Sequence, residues 1–140
     1  MTDAFDLERF VDAQAPVYAS VVAELRQGRK QSHWMWFIFP QLAGLGHSAM
    51  AQRYAIASRD EALAYLGHAV LGKRLAECTA LVNAVEGRTI REILGSPDDL
   101  KFRSSMTLFA AVSPAPEFAT AIAKFYGGRP DRTTLDLLGG

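Results

Sequence analysis

His33-Trp34-Met35-Trp36-Phe37-Ile38-Phe39-Pro40 is the stretch on which the fold class turns. Its aromatic and β-branched content suits a buried strand as well as a short core helix. A strand would need a partner, because an unpaired buried one leaves its amides unsatisfied. No series of alternating segments elsewhere offers that partner. The stretch is therefore expected to be helical, and the architecture all-α.

The flanks agree. On the N-terminal side, Leu7, Phe10, Val11, Val17, Tyr18, Val21, Val22 and Leu25 recur at three- and four-residue intervals, the spacing of one buried helix face. Pro16 interrupts this pattern, so either a kink or a new helix with Pro16 in its first turn is expected, ending near Gly28. On the C-terminal side, Ser58-Arg59-Asp60-Glu61 and Thr89-Ile90-Arg91-Glu92 are capping boxes, each opening a helix. From Leu63 to Val85 an apolar stripe that includes Cys78 continues, with Gly67 or Gly72 as breaks. Gly95 is suited to close the Thr89 helix in a left-handed conformation. In Ser96-Pro97-Asp98-Asp99 the serine is expected to cap, proline to occupy the first turn, and the acids to meet the helix dipole. Pro116 to Tyr126 reads as a further helix stopped by Gly127-Gly128, and Thr133 to Leu138 as a short last one.

With 140 residues and no linker-like stretch, residues 1–140 read as one compact multi-helix domain. Fifteen basic residues balance fifteen acidic ones, which argues against an extended nucleic-acid surface and leaves any anion site local. The N-terminus resembles no export signal, and no apolar run approaches the roughly 18 residues that span a bilayer. One cysteine fits a reducing, cytoplasmic location. His33, His47 and His68 lack metal-ligand spacing, G-x-S-x-G is absent, and no cofactor is expected.

Between Leu25 and Arg59 there is no acidic residue, while Arg26, Arg29, Lys30 and Arg53 are basic, and four of the fourteen aromatics fall between Trp34 and Phe39. Aromatic faces stack a base and cations hold phosphate, so a small anionic, nucleotide-like ligand is one reading. A plain aromatic core with solvated cations is the other. Gly44-Leu45-Gly46-His47-Ser48-Ala49 has the G-x-G-x-x-A form of a dinucleotide turn, but a second strand ending in an acid is missing, so that reading is rejected. Along Asp98 to Thr107, Asp99 and Arg103 stand four apart and are placed to pair, either as an ion pair on a surface helix or as part of a polar pocket wall.

Asp6-Leu7-Glu8-Arg9-Phe10, Gly28 through Gln41, Gly44-Leu45-Gly46, Pro97-Asp98-Asp99-Leu100-Lys101 and Arg103 through Phe109 resemble the domain-of-unknown-function 1810 family over almost the whole chain. The Ser32-His33-Trp34-Met35-Trp36-Phe37-Ile38-Phe39-Pro40-Gln41 string is the most specific part of that resemblance. It implies a mainly helical fold and no established activity. Some members carry the label calpastatin, yet an extended, disordered inhibitor would lack the aromatics and caps seen here. The late Phe125-Tyr126-Gly127-Gly128…Asp131…Thr134-Leu135 segment is more loosely similar to NADAR-type proteins, which cleave N-glycosidic bonds of nucleotide-derived compounds.

Such chemistry wants a carboxylate, an aromatic surface and cations for phosphate. Asp99, His33 and Asp131 are then the candidate catalytic groups, and Lys30, Ser32, Trp34, Trp36, Gln41, Lys101, Arg103 and Ser105 the candidate ligand-binding groups. A non-catalytic protein-interaction module is the alternative, with its partner unspecified. Helix should exceed half of the residues; far-ultraviolet circular dichroism dominated by sheet would overturn the fold assignment.

Overall fold

A computed structural model describes residues 3–139, and helices take up 61% of it. Among the described residues the one extended pairing is an isolated parallel bridge between Leu42 and Ile56. The aromatic stretch is helical over its middle half: Met35–Ile38 form the single turn α3, which follows α1 (Glu8–Gln14) and α2 (Tyr18–Arg26), while Trp34 and Phe39 cap it in non-helical conformations. Pro16 lies in neither helix. It precedes the Val17 N-cap, and Val17 N donates to Gln14 O at 3.0 Å to turn the chain. Proline crowds the turn before it and offers no amide, so α1 stops two residues earlier.

After α4 (Ala49–Arg53) come α5 (Arg59–Gly67), α6 (Leu71–Asn83) and α7 (Ile90–Leu94). Thr89 makes the expected reciprocal box with Glu92 at 3.1 and 2.8 Å. Ser58 makes only half of one. Its Oγ accepts from Glu61 N at 3.2 Å, but the Glu61 carboxylate reaches past Ser58 to Ala57 N, 2.9 Å away. The other Glu61 oxygen accepts from Arg9, 2.9 Å away. Arg9 also donates to the carbonyls of Phe5, Asp6, Arg53 and Ala55, so all five guanidinium N–H groups are satisfied. The α5–α6 stripe breaks at Gly67–Val70. There His68 Nδ1 accepts from the amides of Val70 and Leu71, and Leu63 and Val70 turn outward.

The longest helix, α8 (Asp98–Val112), packs against α5, α7, α9 (Pro116–Tyr126) and α10 (Arg132–Leu137). The expected serine cap is absent. Pro97 itself is the N-cap residue and the helix opens at Asp98 without a side-chain cap. Gly95 has φ 81° but ψ 176°, so it ends α7 in an extended mirror conformation rather than a left-handed one. α9 does end on a left-handed residue, Gly127. None of these helices is long and apolar enough to cross a membrane.

The core carries two aromatic chains, Trp34–Phe39–Phe102 and Phe10–Tyr65–Phe109–Phe118, with neighbouring centroids 4.8–6.2 Å apart. Buried Gln14 bridges helices: Nε2 donates to Phe37 O at 2.7 Å and Tyr65 OH at 3.1 Å, while Oε1 accepts from Arg74. Glu24, only 8% exposed, accepts from Gln31 N, Ser32 N, Ser32 Oγ and Trp34 Nε1 at 2.6–3.0 Å. Burial opposes its ionisation, but the hydrogen bonds, led by the Ser32 hydroxyl, outweigh that and hold its pKa at about 2, against an ordinary 4.5.

The depressed pKa means that the ionised form favours the fold by roughly 3 kcal/mol, fully above pH 4.5 and progressively less toward pH 2. Glu24→Gln should lower neutral-pH stability by about 2–3 kcal/mol, because an amide cannot accept all four donors. It should also flatten the pH dependence of urea midpoints across that window. An unchanged acid profile would remove Glu24 as the cause.

Candidate functional site

Within α3, Met35, Phe37 and Ile38 turn into the core, and Trp34 just ahead of it is 1% exposed. Trp36 alone remains half-buried. It forms one wall of a cleft of about 140 Å³ that also meets Gln41, the Gly44–Gly46 turn, Gln52 and Lys101. Met35, Leu42 and Tyr54 lie at its floor. The Leu42–Ile56 bridge holds this turn in place, with Ala43 N donating to Ile56 O at 2.8 Å and Ile56 N to Gln41 O at 2.9 Å. A Cβ on Gly46 would stand 2.5 Å from Ala51 Cβ, so the turn closes against α4 only with glycine there.

Lys101 is the one ionic group lining this cleft among the described residues. Its ammonium stands 5.4 Å from the Trp36 ring centroid and 3.7 Å from Asp98 Oδ1. The other Asp98 oxygen pairs with Lys30 at 2.9 Å, and Lys30 lies over the Trp34 ring. Asp98 therefore ties down Lys30, whose side chain is 8% exposed, and leaves Lys101 more open at 26%.

A second groove of about 230 Å³ shares Gln41, Gly46 and Lys101 with the first and is walled by Leu100, Ser104 and Asp131. Asp131 caps α10: Oδ2 accepts from Thr134 N at 3.0 Å, from Thr134 Oγ1, and from Ser104 Oγ at 3.3 Å. Its amide donates to Thr107 Oγ1 at 2.8 Å.

Of the residues singled out in the sequence, Trp36, Gln41 and Lys101 meet at the cleft, Asp131 stands in the adjoining groove, and Lys30 reaches them through Asp98. The others go elsewhere. Ser32 and Trp34 are bound to Glu24, and His33 is exposed outside both cavities. Ser105 is wholly buried, with no hydrogen-bond partner for its hydroxyl. The expected Asp99–Arg103 pair does not form. Arg103 donates to Arg129 O at 2.9 Å and Pro130 O at 3.2 Å and covers the Tyr126 ring, while Asp99 O accepts from Tyr126 OH.

The sequence pointed past several contributors. Asp98 had been read only for the helix dipole, though Lys101 three residues on is the pairing signal. Glu24 adjoins the acid-free stretch it organises, and nothing local marked Gln52 or Tyr54. The Gly44–Gly46 turn lines the cleft without any dinucleotide-type sheet. No three His, Cys, Asp or Glu residues gather as metal ligands among the described residues. Burial pushes the Cys78 thiol up to about 12, which leaves it protonated at neutral pH.

Arg103→Ala removes two carbonyl contacts and a ring cover, so it should cost about 1–2 kcal/mol in urea unfolding. A loss under about 0.5 kcal/mol would show that this tie to the Arg129–Pro130 segment contributes little.

No curated protein matches the chain significantly. Among solved structures, the conserved hypothetical protein Rv1873 from Mycobacterium tuberculosis is similar, with 62% identity, 99% of each chain covered and a TM-score of 0.97. The model of the protein family of unknown function DUF1810 matches residues 4–138, and the chain belongs to that family.

Proposed function

We propose that residues 1–140 act as one cytoplasmic ligand-binding domain that takes a small anionic, nucleotide-like molecule into the two adjoining cavities. The observation that carries this reading is Lys101: its ammonium stands over the Trp36 ring where the cavities meet, with its carboxylate partner 3.7 Å away. The indole supplies a face for a planar ring and the ammonium a partner for phosphate. Gln41 lines both cavities and brings further hydrogen-bonding capacity.

Binding is better supported than hydrolysis. No carboxylate lines the first cleft, and Asp131 already uses Oδ2 to cap α10. Asp99, His33 and Asp131 line no common cavity among those described, whereas N-glycoside cleavage would need a carboxylate at the reacting carbon. The interaction-module reading draws on Leu100 and Leu137, 58% and 49% exposed, the first in the second groove and the second against the Gly44 turn.

Thermal-shift titration with uridine, cytidine, adenosine and guanosine monophosphates, ribose 5-phosphate and inorganic phosphate tests the proposal. A ligand at ~100 times its Kd adds about 2.7 kcal/mol and should raise the midpoint by several degrees. Lys101→Ala should lose that response while keeping its own stability within about 1 kcal/mol, since the Asp98 pair it breaks is partly exposed. No shift with any of the six, or a full response from Lys101→Ala, would overturn the reading in favour of a protein-interaction surface.

A further inference from the structure

A groove of about 390 Å³ lies where the end of α2 meets the α6–α7 loop, and it shares no lining residue with the Trp36 cleft or the groove beside it. Arg26, the last residue of α2, lines it together with Arg88 of the loop. We infer that this groove is a docking site for an acidic peptide segment of a partner protein, whose carboxylates Arg26 and Arg88 hold.

Neither arginine serves the fold. Both are exposed, and no ion pair among the described residues includes either. The arginine side chains that donate hydrogen bonds there are those of Arg9, Arg59, Arg74 and Arg103. A cation near a helix C-terminus ordinarily answers the dipole and the open carbonyls, but here other groups have taken those carbonyls. At the end of α2 the amides of Gln27, Gly28 and Arg29 donate to the carbonyls of Ala23, Leu25 and Glu24 at 3.0–3.1 Å. At the end of α6 the Lys124 ammonium donates to Asn83 O at 2.6 Å and Val85 O at 2.7 Å. Lys124 also pairs at 3.3 Å with Glu86, the one acid lining the groove, which leaves both arginine charges uncompensated.

The two sides meet at Gly28, where φ is 72°. A Cβ there would stand 3.2 Å from Val85 Cγ1 and 3.5 Å from Arg88 Cδ, so the Arg88 stem lies beside the turn that carries Arg26. Half-buried Leu81 and Val85 give the groove an aliphatic wall. The charge calls for an anion and the wall for an aliphatic side chain, and a peptide of acids with leucine among them supplies both. A nucleic-acid strand fits less well. No aromatic residue lines the groove to stack a base, and the Glu86 carboxylate, 86% exposed, repels a continuous run of phosphates. Arg29 and Arg91, both exposed and in no ion pair among the described residues, extend the positive face: Lys30 N donates to Ile93 O at 2.7 Å and joins the segments that carry them.

Fluorescence anisotropy with a labelled, end-blocked octapeptide of six glutamates and two leucines tests this. The wild type should bind it at least about tenfold tighter than the counterpart with glutamine for glutamate, and that advantage should shrink as salt rises. Arg26→Gln combined with Arg88→Gln should weaken binding at least about tenfold with an unchanged thermal midpoint, while Lys101→Ala should bind as the wild type does. Should the double variant fail to fold by circular dichroism, each single variant should weaken binding at least about threefold. No binding to the wild type, equal binding of the glutamine peptide, or full binding by the arginine variants overturns the assignment. So does a loss in Lys101→Ala, which would move the peptide to the Trp36 cleft. A seven-nucleotide RNA, which carries the same charge, should bind more weakly; binding as tight as the peptide's would make the groove a phosphate-backbone site and overturn the assignment as well.

Discussion

The Glu24 carboxylate closes the turn between α2 and α3, and the candidate site hangs from that turn. Without it, the buried Trp34 indole N–H would have no acceptor, at a cost of about 1–3 kcal/mol, and the amides of Gln31 and Ser32 would lose theirs. With it, Trp34 is fixed against Phe39, and Phe39 against Phe102 of α8. The same turn brings Lys30 N to within 2.7 Å of Ile93 O at the end of α7. That contact delivers the Lys30 ammonium to Asp98, and so links the α2–α3 turn to the first turn of α8.

Other joints in the core are polar in the same manner. Arg9 and Glu61 tie the N-terminal helix to the segment between α4 and α5, and Gln14 ties α1 to α3, α5 and α6. Groups of this kind are costly when left unpaired and directional when satisfied, so they select one arrangement of short helices among many that would bury similar apolar area. Several of these helices span under two turns and are below the length at which isolated helices persist in water, so tertiary contacts hold them.

Trp34 and Trp36 show how one motif divides between structure and site. Trp34 is the non-helical N-cap of α3 and Trp36 its second residue, and they face different ways. Trp34 points at Glu24 and the core, while Trp36 faces the cleft beneath Lys101. α8 divides likewise: Phe102, Met106 and Phe109 are buried, and Asp98 and Lys101 in its first turn serve the cleft.

What the residues alone determined was local. Apolar spacing located the buried faces of α1, α2 and α6, and Thr89, Ser58 and Gly127 marked helix ends, because these signals act within four residues of themselves. The absence of a second alternating segment argued against a strand in the aromatic stretch, of which Met35–Ile38 form the helical turn. Side-chain partners were decided elsewhere. Glu61 passes Ser58 for Ala57 and Arg9, Arg103 turns from Asp99 to the Arg129 and Pro130 carbonyls, and Asp98 takes Lys30 from 68 positions earlier in the chain. A charged group settles with whichever complementary donor or acceptor the packed helices bring within about 3 Å, and distance along the chain carries no record of that. The helices were therefore legible in the sequence, and the cleft existed only once α3, the Gly44–Gly46 turn and α8 had met.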